Sequence, residues 1–215
     1  MTRWQTFLSV VASLILASGI TLCLSGSSLA QQRPTEEEIV NALKPPPEPI
    51  KTRGLTTSST PRYTGDQRVL AKIRTSKTRQ LTASERAEVA DIAKSKPSID
   101  LEVYFDYNSS EISSAAEPNL RTLGKALTNP DLRGSVFLIA GHTDAKGGAD
   151  FNQRLSERRA ASVKKFLHDN YDIPDDSLAT AGYGREQLKN QADPYAAENR
   201  RVQIVNLEKK ETARR

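Results

Sequence analysis

Asp144 ends the stretch 141-GHTD-144, and Arg159 is the second arginine of 157-ERRA-160. An acid and a guanidinium placed in this way can do one of two things. They can pair with each other, as an internal salt bridge that clips a loop to a helix. Set slightly apart, they can instead grip a ligand that carries both charges, with the guanidinium forking onto a carboxylate and the acid taking an ammonium. The second arrangement selects ligands whose charges lie close together, such as the α-carbon of an amino acid. First-turn amides of the following helix would add donors for the anionic group. Spacing alone leaves both readings open.

Arg159 stands out because of where a helix would aim it. The stretch 153-QRLSERRAASVKKFL-167 has helical periodicity. With Leu155 set at zero, Phe166, Val163, Leu167 and Ala160 fall between about 20° and about 140°, which defines a core-facing stripe. Arg158 falls near about −60°, on the wet side, but Arg159 falls near about 40°, inside the stripe, with Asn152 beside it at about 60°. A guanidinium cannot shed its charge, so an inward arginine needs a partner or a ligand. Asp144 follows an apolar strand, and in α/β sheets ligands bind at the carboxyl ends of strands.

Catalysis finds little support nearby. His142 and Asp144 suggest an acid–base or metal pair, but the chain has only two histidines, and His168 lies at the far end of the same helix. A metal site would be short of ligands, and no resident cofactor is expected. The loop offers no nucleophile beside a base, and the lysine of 145-AKGGAD-150 is misplaced for a phosphate-binding loop. A cell-wall enzyme remains the less favoured alternative.

The elements that must position these residues follow in order. In 100-DLEVYFDY-107, Leu101, Val103, Phe105 and Tyr107 alternate with more polar neighbours, which predicts a strand with one buried face. A helix is expected next, with Pro118 in its first turn and Ala116, Leu120, Leu123 and Leu127 along one side. The run 136-VFLIA-140 suits a central strand covered on both faces. The Arg159 helix, a short strand at 178-LATA-181 and a strand at 201-RVQIVNL-207 complete a βαβαββ order. That order predicts an α/β (α+β) sandwich, with helices packed on a mixed sheet. The 182-GYGRE-186 turn and the 193–200 stretch are expected as surface loops.

Upstream, Phe7 to Leu24 is a long apolar run preceded by Arg3 and followed by 25-SGSSLA-30, the pattern of an export signal spanning 1–30. An uncleaved anchor is the rival reading. The one cysteine, Cys23, lies within this run, so the exported chain would have no disulfide framework. Without 1–30 the net charge is +4, an excess too mild to identify a partner. Residues 31–97 form an N-terminal extension. Its 35-TEEEIVNALK-44 segment predicts a short helix capped by Thr35, and 82-TASERAEVADIAK-94 predicts another with Thr82 and Glu85 at capping-box spacing. Between them, 51–79 carries eight basic residues against one acid and reads as a flexible basic arm. It holds one aromatic, Tyr63, instead of a stacking platform, so no nucleic-acid partner is expected. The compact domain is assigned to 98–208 and a disordered tail to 209–215.

The motifs 104-YFDYNSSEIS-113, 141-GHTDAKGGADFNQRLSERRAASV-163, 182-GYG-184 and 199-NRRVQI-204 together resemble the OmpA-like C-terminal domain, the peptidoglycan-binding module also found in Pal and MotB. The resemblance runs from about Ile99 to Leu207. It implies that Asp144 and Arg159 hold the amine and carboxylate of diaminopimelate in the peptidoglycan stem peptide. It also implies that Asn152 lines the pocket and that Asp106 and Arg200 lie at or near it. The implied partner is peptidoglycan, with outer-membrane or other envelope proteins as further partners and a homodimer left open. The implied place is the periplasm, associated with the outer membrane. The implied role is tethering of the envelope, the alternative being an inner-membrane-anchored motor or secretion component that grips the wall.

Overall fold

The computed structural model describes residues 33–45 and 81–209, apart from Tyr104 and Tyr107. The export signal, the basic arm, Tyr107 as a strand residue and the tail beyond Lys209 lie outside the described residues.

Both capping signals of the extension are realised. Thr35 starts helix α1 (Glu36–Leu43): its hydroxyl accepts from Glu38 N, and the Glu38 carboxylate accepts from Thr35 N. Thr82 and Glu85 do the same at the start of α2 (Ala83–Ala93). Each reciprocal pair satisfies amides that the first helical turn leaves open.

The sheet contains β1 (Ser98–Leu101), β2 (Ser135–Gly141), β3 (Leu178–Gly182) and β4 (Val202–Lys209), ordered β1-β4-β2-β3. Helix α3 (Glu117–Leu127) links β1 to β2, and α4 (Ala149–Tyr171) links β2 to its parallel neighbour β3. β4 is antiparallel to both β1 and β2. The expected α/β sandwich with a mixed sheet is therefore the fold. Every residue of β2 is buried, as its unbroken apolar run requires of a strand covered on two faces.

Side chains alternate across the sheet to build two cores. Phe137, Ile139, Val202 and Ile204 pack with Leu120, Leu123, Ala160, Val163 and Leu167 of α3 and α4. Ile39, Val40 and Leu43 of α1 join this same core, and Asn206 reaches across to donate to Leu43 O at 2.9 Å. Val136, Leu138, Ala140, Val205 and Leu207 face the other way, under Val89 and Ala90 of α2. The two extension helices thus serve opposite faces of the sheet.

The first strand differs from its expected span of 100–107. It begins at Ser98 and ends at Leu101, because Leu101 pairs with Val202, the first residue of β4, and among the described residues no partner strand continues beyond it. Past that point Phe105 makes a single bridge to Ile112, and the chain between them turns into the site. At the other end, β4 reaches Lys209, the first residue assigned to the tail.

Candidate functional site

Close approach of α4 to the sheet sets the site's depth. A Cβ on Gly141, the last residue of β2, would lie 2.3 Å from Ser156 O of α4, a backbone atom that cannot step aside. Gly184 has φ +51° and donates its N–H to Ser156 Oγ at 2.9 Å. Glycine at both positions lets α4 lie almost on the strand ends. The helix carries the predicted faces: Leu155, Ala160, Val163 and Leu167 are buried, Arg158 is exposed, and Arg159 is turned inward at 7% exposure.

Arg159 meets backbone, not an acid. Its Nε donates to Ser109 O at 3.1 Å, and Nη2 lies 3.5 Å from Asp106 O, at the limit of a hydrogen bond. The guanidinium carbon sits 4.8 Å from the Phe105 ring centroid, in cation–π range. Both carbonyls come from a turn closed by Ser109 N donating to Asp106 O at 3.0 Å, with Asn108 at φ 54°, a conformation asparagine tolerates better than most residues. Among the described residues no carboxylate lies within ion-pair distance of Arg159, and Nη1 donates to no described group. Burial pushes the guanidinium below its ordinary pKa; Asp144 opposes this, while Arg200 and Arg158 add to it. It remains a cation.

Asp144 is placed near Arg159 but paired elsewhere. Its Oδ1 accepts from Lys146 N at 3.1 Å, and its Oδ2 accepts from Arg200 Nη1 at 2.9 Å. The internal Asp144–Arg159 salt bridge that spacing allowed is therefore not formed. Arg200, next to β4, takes its place. Asn152 is buried on the same face of α4 as Arg159, and its Nδ2 donates to Lys146 O at 2.9 Å and Asp144 O at 3.4 Å. It holds the loop that carries the acid. Asp106 contributes its backbone carbonyl, and its own side chain is exposed.

Several residues at this end of the sheet take places that the sequence did not announce. Ser109 supplies the best-placed acceptor for Arg159. Asn199 is fully buried; it accepts from Asn190 N and donates to the carbonyls of Asn190 and Asp193, so the 190–199 segment is an anchored loop. Its Pro194 O accepts from Ala145 N at 2.9 Å, which ties it to the Asp144 loop. Tyr183, expected in a surface turn, is buried instead, because its ring stacks on His142 with centroids 5.4 Å apart. Arg201 is buried on Asp100, with Nε to Oδ1 at 3.1 Å, and Lys189 braces the same acid at 3.1 Å. His142 is 1% exposed, neither ring nitrogen makes a well-formed hydrogen bond among the described residues, and burial, aided by the Arg201 charge, holds its pKa at about 3. Asp100 and the Gln187 backbone, which lies close enough to favour the proton but outside good hydrogen-bond geometry, pull the other way. Among the described residues no group of His, Cys, Asp and Glu is arranged to hold a metal.

At this end of the α/β sandwich an inward guanidinium, with no acid in contact among the described residues, thus stands beside an acid held by a second arginine. Residues 104–201 match the OmpA family. Outer membrane protein A of Buchnera aphidicola is 32% identical over 90 residues, covering 41% of this chain and 26% of that protein. Peptidoglycan-associated lipoprotein of Legionella pneumophila is 33% identical over 104 residues, covering 47% of this chain and 57% of that protein. Among solved structures, the peptidoglycan-associated lipoprotein from Burkholderia pseudomallei aligns with a TM-score of 0.41 at 26% identity, covering 48% of this chain and 86% of that one. The chain thus spans about a quarter of the first relative's length and somewhat over half of the second's.

Proposed function

We propose that this protein binds peptidoglycan without catalysis, by capturing the zwitterionic end of diaminopimelate in the stem peptide. Arg159 directs its open Nη1 edge at the carboxylate, and Asp144 accepts from the ammonium. Asn152 keeps the Asp144 loop in register, while the Asp106 turn and Arg200 frame the site. The protein lies in the periplasm, associated with the outer membrane, and tethers the envelope to the wall. The observation that carries this reading is that Arg159 is buried with no carboxylate of the described protein in contact, while Asp144 is near enough to act on its charge. A buried cation in that state gains most from an external anion. The relative whose name says it is peptidoglycan-associated supports the choice of polymer.

Pull-down with purified sacculi tests the proposal. Removing one partner of a buried charge pair costs about 2 to 5 kcal/mol, so Asp144→Ala or Arg159→Ala lowers retention by about 30-fold to several thousandfold. Arg158→Ala, on the exposed side of α4, leaves retention unchanged. Full retention by the Arg159 variant, with its fold intact by circular dichroism, would refute the assignment.

A further inference from the structure

The site already holds a cation where a ligand's ammonium would have to go. Oδ2 of Asp144 is taken by Arg200 Nη1 at 2.9 Å, and Oδ1 is committed to the Lys146 amide. The acid's side chain is 14% exposed, whereas that of Arg200 is 48% exposed and makes this one hydrogen bond among the described residues. The two guanidiniums therefore stand in opposite situations. Arg159 is buried, held by a carbonyl and an aromatic face, and lacks an acid in contact. Arg200 has the acid but little else to hold it.

We propose that Arg200 is a displaceable internal counter-ion, which stands in for the ligand's ammonium on Asp144 and leaves when a zwitterion arrives. This rests on the zwitterion reading above and assigns Arg200 a sign opposite to that of a ligand-holding residue. A zwitterion exchanges one ion pair on Asp144 for another, so its affinity is reduced by what the Arg200 pair is worth. Arg200 is half-exposed and holds the acid through one hydrogen bond, and pairs reached by solvent on one side are worth little, which sets that handicap at about two- to fivefold. A carboxylate without an ammonium displaces nothing. For such a ligand Arg200 stays in place and cancels the Asp144 charge, which would otherwise repel the incoming anion. Arg200 thereby makes the site less selective between the two ligand types than Asp144 alone would.

The test is titration calorimetry on the full chain with meso-diaminopimelate and with pimelate, which has the same carbon chain and both carboxylates but no amines. Arg200→Gln is expected to tighten meso-diaminopimelate about two- to fivefold and to weaken pimelate, while Arg200→Lys stays near wild type for both. Movement of both ligands in the same direction in Arg200→Gln, or no movement of either, overturns the proposal while leaving the zwitterion reading standing. So does an Arg200→Lys variant that behaves like Arg200→Gln. Failure of the unaltered chain to bind either ligand or sacculi overturns both.

Discussion

Acidification should unseat the loop that carries Asp144, and His142 sets the scale. Its imidazole is 1% exposed, stacked on Tyr183 and without a well-formed hydrogen bond among the described residues, and its pKa is held at about 3 against an ordinary 6.5. In the folded protein it therefore stays neutral well below the pH at which the unfolded chain takes up a proton. Above pH 6.5 neither state is charged at this position and the full stability is present. As pH falls from 6.5 toward 3 the unfolded state binds more protons, so stability is lost throughout that window. Between pH 7 and pH 5 the loss from this one residue comes to about 2 kcal/mol. His142→Phe keeps a ring against Tyr183 and removes both the titration and the two unpartnered nitrogens. Urea midpoints at pH 7 and pH 5, for the wild type and this variant, isolate the histidine because all carboxylates are common to both. The variant is expected to be about 2 kcal/mol less sensitive to the drop, and at pH 7 no less stable, since unsatisfied buried polar atoms cost about 1 to 3 kcal/mol each. Equal losses in the two proteins would refute the reasoning, because they would mean that His142 is reached by water or paired.

Two substitutions test how the site is supported. Gly141→Ala places a methyl 2.3 Å from Ser156 O, so α4 must shift; a loss of about 1 to 3 kcal/mol in urea unfolding is expected, together with weaker sacculus retention as Arg159 moves. Leu43→Ala removes a fully buried side chain of α1, and a loss of about 2 to 5 kcal/mol in the same assay is expected; no loss would show that α1 is dispensable to the core.

What the sequence revealed of the site was what a single helix or strand encodes. Arg159 and Asn152 were visible because helical period alone fixes which side they take, and α4 turns both inward. β2 was visible because an unbroken apolar run has one economical location. The partner of Asp144 was not visible. Arg200 lies 56 positions away, outside any regular element, and no periodicity says which arginine of 199-NRRVQI-204 reaches the acid and which goes to Asp100. The burial of Tyr183 was hidden for a related reason. Flanking glycines announce a turn, but its central ring is drawn inward by His142, a residue on a different strand end. The place of α1 in the main core was equally silent, since its three apolar residues fit any exposed amphipathic helix until Asn206 and α3 are brought beside it.

The position of β4 has a temporal consequence. It follows the other three described strands in the chain, yet it lies between β1 and β2 and supplies every hydrogen-bonded neighbour that β1 has among the described strands. Until Val202–Lys209 emerges, β1 has no place to dock and Arg200 cannot meet Asp144. Completion of the four-stranded sheet thus waits on β4, and a nascent polypeptide halted short of it would leave β1 and β2 without the strand that joins them.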